Sequence, residues 1–128
     1  MKNLIIKGEY KMPDVQFDAD KGVLELSGKS IPDRAEDLYL PIVEWIDNYL
    51  QNPCKETTFN FKLVYFNTGT ERYLYSIFKK LESSHKSGNK IKVNWYYEEG
   101  DEDMFDVGED YQKRVEVPIN LIAVSVED

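Results

Sequence analysis

The segment Thr57 to Leu81, TTFNFKLVYFNTGTERYLYSIFKKL, constrains the fold more than any other part of this chain. Residues 57–66 are dense in Phe, Thr, Val and Tyr, the composition of a central strand. They run into a polar turn, Asn67-Thr68-Gly69-Thr70, after which Leu74, Ile77, Phe78 and Leu81 recur at helical spacing. A strand that feeds a helix through so short a turn is a unit of an α/β layer. The same unit places the Thr68 hydroxyl at the mouth of a helix N-terminus. Backbone N–H groups lack intrahelical partners there, and partial positive charge gathers. A phosphate at that position is stabilised by both.

The rest of the chain reads consistently with that unit. Residues 3–8 form a short first strand, and Val15-Gln16-Phe17-Asp18 alternates as a second. Asp20-Lys21-Gly22 is a turn signal, and Val23 to Ser27 returns as a third strand, so residues 15–27 make a hairpin. Ser30-Ile31-Pro32-Asp33 reads as a helix start, with serine as the cap and proline at an early position. Ala35, Leu38, Ile42, Trp45, Ile46 and Tyr49 then form an apolar stripe, opposite Glu36, Asp37, Glu44, Asp47 and Asn48. Pro41 lies inside this pattern without an N–H to donate, which predicts a kink or an irregular first turn near 37–41.

Ser87-Gly88-Asn89 stops the second helix. Ile91 to Tyr97 is a further strand, with Trp95 and Tyr97 on one face and Tyr96 on the other. Met104 to Arg114 can form a third helix that buries Met104, Phe105, Val107 and Tyr111, although Gly108 counts against it. Val115 to Val126 is the last strand region, interrupted by Pro118. The expected order is β-β-β-α-β-α-β-α-β: an α/β domain over residues 1–128, with parallel pairings and a sheet made mixed by the hairpin.

Several function classes are disfavoured. A net charge of -8, with the bases scattered among more numerous acids, suits neither nucleic acid nor an anionic membrane surface. No GxGxxG or GxxxxGK[ST] pattern occurs. The lone cysteine, Cys54, excludes an intrachain disulfide and reads as incidental. The lone histidine, His85, reads as a surface residue at a helix end, which disfavours a Ser-His-Asp arrangement and leaves no multi-histidine metal site. The acidic run Glu98 to Asp103 lacks the spacing of an EF-hand and reads as a solvated turn that caps the third helix, or as an acidic surface for a basic partner. No cofactor, metal or catalytic residue is expected. The apolar run near the N-terminus is too short for a signal peptide or a membrane span, so the cytoplasm is the expected location.

Thr68-Gly69-Thr70-Glu71 fits the capping box T-x-x-E. The threonine oxygen would accept from the backbone near Glu71 and Glu71 would reach back, a structural role worth about 1 kcal/mol. The same threonine is open to a second, compatible role as a phosphorylation switch. Phosphate would add about -1.5 to -2 charges, which the helix tolerates and a protein docked on the turn does not. Glu71 would repel it and Arg72 would compensate. Thr70 and Ser76 are rival acceptors. Two alternatives stand beside the switch: a constitutive adaptor in which Thr68 is only a cap, and a small ligand-binding domain or enzyme using the acidic run or a pocket the sequence does not reveal.

Longer stretches resemble a known family. FNFKLVYFNTGT (59–70) and KKLESSHKSGNKIKVNWYYEEGDEDM (79–104), with FDADKGVLELSGKSIPD (17–33), PIVEW (41–45) and VPINLI (117–122), look like the SiaC family of bacterial regulatory phosphoproteins. The resemblance covers nearly the whole chain. It implies a STAS-like fold of the anti-anti-sigma-factor type, a mixed sheet flanked by helices with a phosphorylatable Ser or Thr at a helix N-terminus. It also implies a cognate Ser/Thr protein kinase and a PP2C-type phosphatase acting on that residue. The unphosphorylated form would bind and promote a diguanylate cyclase, which ties the switch to cyclic-di-GMP and biofilm. The family's acceptor threonine, in its YxNT segment, falls on Thr68 within Tyr65-Phe66-Asn67-Thr68. Gly69 and Thr70 stand where the family often has serines, and Ser30-Ile31-Pro32-Asp33-Arg34 where it commonly has S-Y-P-E-N.

The combined expectation is a non-enzymatic phospho-switch with Thr68 as acceptor. Asn67, Gly69 and Thr70 shape the turn, Glu71 and Arg72 set its charge, and Ser30 and Asp33 join the partner-facing surface from the same end of the layer. Phosphate on Thr68 would then block one interface by charge and bulk without refolding the domain.

Overall fold

In the computed structural model, which describes residues 1–125, the strand that feeds the Thr68 turn is β4 (Glu56–Phe66), interior to a sheet of order β1-β2-β3-β4-β5-β6. The other strands are β1 (Leu4–Ile6), β2 (Asp14–Asp18), β3 (Val23–Ser30), β5 (Lys90–Glu98) and β6 (Ile119–Val124). The helices are α1 (Ala35–Gln51), α2 (Thr68–Lys86) and α3 (Glu102–Arg114). The first two pairings are antiparallel and the last three parallel, so the fold is the α/β mixed sheet in the order expected. The hairpin turn closes as the sequence reads: Asp18 Oδ1 accepts from the N–H groups of Asp20 and Lys21, and Gly22 has φ 68°.

One face of the sheet carries the core. Val15, Phe17, Leu24, Leu26, Phe59, Phe61, Leu63, Ile91, Val93 and Trp95 alternate inward along their strands and are buried. All three helices meet this face: Phe17 packs on Trp45 of α1, Phe61 on Phe78 of α2, and Trp95 on Tyr111 of α3. Among the described residues, no helix covers the opposite face. It carries an in-register polar ladder instead, with Asn94 Nδ2 donating to Asn60 Oδ1 at 2.9 Å and Asn120 Nδ2 donating to Asn94 Oδ1 at 3.1 Å.

Two boundary expectations are corrected. Ser30 does not start a helix; it is the last residue of β3 and fully buried, while α1 begins at Ala35 with Arg34 as a cap that makes no side-chain bond. Pro41 lies inside α1, which runs continuously from Ala35 to Gln51. The carbonyl that loses its donor belongs to Asp37, an exposed residue of the first turn. Val115 and Val117 are buried but precede β6, which starts at Ile119 after Pro118; Val126, the far end of the expected strand, lies outside the described residues.

Gly108 belongs to α3 rather than arguing against it. A Cβ there would lie 2.5 Å from Trp95 Cδ1 and 2.7 Å from Leu121 Cδ2, so only glycine lets α3 approach the sheet so closely.

Candidate functional site

The parallel strands β3, β4 and β5 all end at one edge, where they turn into α1, α2 and α3. In α/β sheets this carboxyl edge is where loops are free to carry function. The β4–α2 connection is a single residue, Asn67, with φ -91° and ψ 174°. Asn67 caps the helix: its Oδ1 accepts from the N–H of Thr70 at 3.0 Å, and its carbonyl accepts from Glu71 N at 3.1 Å.

The cap expected at Thr68 is therefore displaced by one residue, and no capping box forms, since the Asn67 N–H is taken by Ser30 O. Thr68 is the first helical residue, exposed, and its hydroxyl makes no hydrogen bond among the described residues. Helix geometry leaves the N–H groups of Thr68 and Gly69 without intrahelical acceptors. An exposed hydroxyl thus stands over unsatisfied donors at the positive end of α2. Asn67 wins the cap because its amide has a second use: Nδ2 donates to Pro32 O at 3.2 Å, and its backbone N–H donates to Ser30 O at 3.1 Å. The 30–33 segment is thereby clamped to the turn.

The rival acceptor Thr70 is fully buried, and its Oγ1 donates to Ser30 O at 2.9 Å. Ser30 Oγ lies 2.9 Å from Thr70 Oγ1 and 2.7 Å from the Tyr39 hydroxyl. Each hydroxyl has one proton. With the Thr70 proton committed to the Ser30 carbonyl, Ser30 Oγ donates to Thr70 Oγ1 and Tyr39 donates to Ser30 Oγ. Burial pushes the Tyr39 phenol up to about 12, although its polar neighbours Ser30 and Thr70 act in the other direction, so it keeps its proton near neutrality. Ser30 and Thr70, expected on the partner-facing surface, instead hold the turn from beneath, since neither side chain reaches solvent.

Gly69 serves close packing: a Cβ there would meet Ala35 Cβ at 3.3 Å, where the starts of α1 and α2 touch. Glu71 and Arg72 are exposed in the first turns of α2. Arg72 stands four residues after Thr68, hence one turn along the same side of the helix, with its guanidinium 5.6 Å from the Tyr73 ring. Asp33 is exposed beside the clamped segment and pairs with Lys11 at 3.2 Å.

Two residues were missed by the sequence reading. Tyr39 belongs to the buried stripe of α1, four residues after Ala35 and three before Ile42. Tyr65 is 58% exposed beside the turn because of a bulge. Gly28 pairs with Leu63 and Lys29 with Tyr65, so Val64 is the extra residue; beyond it Phe66 turns inward against Trp95 and Tyr65 outward.

The competing features are weaker. Asp101 of the acidic run caps α3 by accepting from Met104 N at 3.0 Å. Among the described residues, no group of three or more His, Cys, Asp and Glu is placed to hold a metal ion. His85 is half-buried rather than on the surface, with Nδ1 buried and unpartnered among the described residues, at the far end of α2 from Thr68. Cys54 is partly buried with Sγ 3.2 Å from Ala19 O. Among the described residues, no helix is long and apolar enough to cross a membrane.

Comparisons with known proteins agree with this architecture. An uncharacterized protein of Pseudomonas aeruginosa (strain UCBPP-PA14) is 24% identical over 123 residues, covering 96% of this chain and 98% of that one. The crystal structure of apo-SiaC from Pseudomonas aeruginosa superposes with a TM-score of 0.87 at 22% identity, covering 96% of this chain and all of that one. A chain from the crystal structure of the diguanylate cyclase SiaD in complex with its activator SiaC, also from Pseudomonas aeruginosa, gives a TM-score of 0.90 at 24% identity, over 94% of this chain and 99% of that one. Residues 6–124 match the sequence model of the family described as SiaC family regulatory phosphoprotein. A match over that span shows that the chain belongs to the SiaC family of regulatory phosphoproteins.

Proposed function

We propose that Thr68 is the reversibly phosphorylated residue of this protein and that its phosphorylation state decides whether an output partner docks on the carboxyl edge of the sheet. The observation that carries this reading is the contrast within Thr68-Gly69-Thr70: the first hydroxyl is exposed and unbonded among the described residues, and the second is buried and bonded. Phosphate on Thr68 would meet the free N–H groups of the first turn and the Arg72 guanidinium, against repulsion from Glu71. The helix start is compatible with it, and a partner seated on Thr68, Gly69, Glu71 and the Asp33 segment is not. The protein acts by binding, without catalysis of its own, in the cytoplasm. A cognate Ser/Thr kinase adds the phosphate and a PP2C-type phosphatase removes it. A diguanylate cyclase fits as the output partner, since the related SiaC is described as the activator of SiaD. The adaptor reading, with Thr68 only a cap, loses its structural motive because Asn67 does the capping.

The test is peptide mass spectrometry on protein from its native cells, before and after PP2C-type phosphatase treatment. The expected result is one phosphate on Thr68, removed by the phosphatase. Thr68→Ala should then bind the output partner constitutively. Unchanged partner binding and unchanged total phosphate in Thr68→Ala would rule the mechanism out.

A further inference from the structure

We propose that the buried hydroxyl relay Tyr39–Ser30–Thr70 is a specificity device: it withholds Thr70 from the kinase and leaves Thr68 as the single acceptor of the Thr-Gly-Thr turn. The proposal rests on the phosphorylation reading of Thr68 given above.

Two threonines lie two residues apart at the same helix start, so local sequence offers a kinase both. The fold separates them. Thr68 is exposed, whereas Thr70 has no exposed surface. Thr70 is held at three points: its N–H by Asn67 Oδ1 at 3.0 Å, its hydroxyl proton by Ser30 O at 2.9 Å, and its oxygen by Ser30 Oγ at 2.9 Å. A kinase must place the acceptor oxygen in line with the phosphorus of its nucleotide and remove the hydroxyl proton. At Thr70 both the oxygen and the proton are already engaged, so the first turn of α2 must open before transfer.

The relay sets how often that happens. Tyr39 is anchored independently, buried in α1 with its ring stacked on Tyr73 at 5.3 Å and an interplanar angle of 10°. Its hydroxyl orients Ser30 Oγ at 2.7 Å, and Ser30 in turn holds Thr70. The chain of bonds therefore ties the second threonine of α2 to α1 and to the end of β3, three elements that meet only in the folded domain. Loss of a buried hydrogen bond raises the population of the opened turn on the order of tenfold.

The experiment is site-resolved phosphopeptide mapping of three proteins expressed in the native cells: wild type, Tyr39→Phe, and the double variant Tyr39→Phe/Ser30→Ala. The double variant removes both relay hydroxyls together and leaves no orphaned partner between them. Tyr39→Phe alone keeps the ring stack and serves if the double variant folds poorly by circular dichroism. The expected result is phosphate on Thr68 with no more than a trace on Thr70 in wild type. The share on Thr70 should rise about tenfold in the double variant, with a smaller rise in Tyr39→Phe. Phosphate confined to Thr68 in both folded variants would overturn the relay and leave the Thr68 reading standing. Wild type that carries phosphate on neither threonine would instead overturn the Thr68 reading itself.

Discussion

Asn67 and Thr68 are both competent helix caps, and the side chain that wins decides what the other is free to do. Asn67 holds Thr70 N–H and Pro32 O at once, whereas Thr68 holds neither. Thr68→Ala should therefore change stability by less than about 0.5 kcal/mol, as for an exposed side chain with no partner. Asn67→Ala should cost about 1 kcal/mol or somewhat more, because it removes a cap. Urea unfolding of the two variants checks both values, and a larger loss at Thr68 than at Asn67 would return the cap to Thr68. The one-residue ambiguity could not be settled from local pattern, since N-x-x-T and T-x-x-E overlap here. What breaks the tie is a carbonyl 35 residues upstream, brought in by the fold. The burial of Ser30 is the same kind of fact. Its neighbours Ile31, Pro32 and Asp33 look like a helix start, but Ser30 pairs with Phe66 at the end of β3 and finds Tyr39 and Thr70 only in three dimensions.

At the scale of elements, strands and helices were largely legible because their periods were strong. Phe59, Phe61 and Leu63 alternate inward along β4 as the pattern implies. The same alternation carried past Leu63 would turn Tyr65 inward, and the bulge at Val64 reverses it. That bulge exposes Tyr65 next to Asn67 and seats Phe66 against Trp95, so the edge that presents Thr68 gains an aromatic ring the periodicity hides. Helix α3 shows the opposite error. Glycine has low helix propensity, so Gly108 argued against a helix, yet the packing of α3 on the sheet requires it. Gly108→Ala gains about 1 kcal/mol of propensity, but must push Trp95 and Leu121 aside from contacts of 2.5 and 2.7 Å. Overpacking of this kind costs about 1–3 kcal/mol. The expected outcome is a net loss of stability in thermal unfolding, together with a changed near-UV circular dichroism of Trp95. A variant more stable than wild type with an unaltered tryptophan signal would show that α3 is free to move away.

For the whole molecule, the order of elements was readable because single helices alternate with single strands, and the hairpin at the start forced a mixed sheet. The ties that hold the layer together were not, because they link residues far apart in sequence. Glu82 of α2 is one of them: it is 6% exposed, accepts from Lys79 Nζ at 2.6 Å and accepts from the backbone N–H of Glu116 at 2.7 Å. It thus fastens α2 to the segment that leads from α3 into β6. The Lys79 ammonium first, and the Glu116 N–H second, hold its carboxyl below the ordinary value of 4.5, with burial opposing them. A carboxyl lowered on folding stabilises the native state fully above its unfolded value and loses that contribution as pH falls through the folded one. Above pH 4.5 Glu82 is ionised in both states; below it the unfolded chain takes up the proton first, and the advantage of the tie shrinks. Glu82→Gln keeps an acceptor for Glu116 but loses the charge that Lys79 needs. Its melting temperature should lie below that of wild type at neutral pH, by a gap that holds steady down to roughly pH 5 and then narrows as acid removes the same charge from the wild type. Scanning calorimetry of the pair from pH 7 to 3 reads this directly. A gap that stayed constant through the acid range would mean that Glu82 is held no differently in the folded and unfolded chains, and the fastening of α2 to the approach of β6 would then rest on other contacts, such as the Lys86–Glu116 ion pair at 3.1 Å.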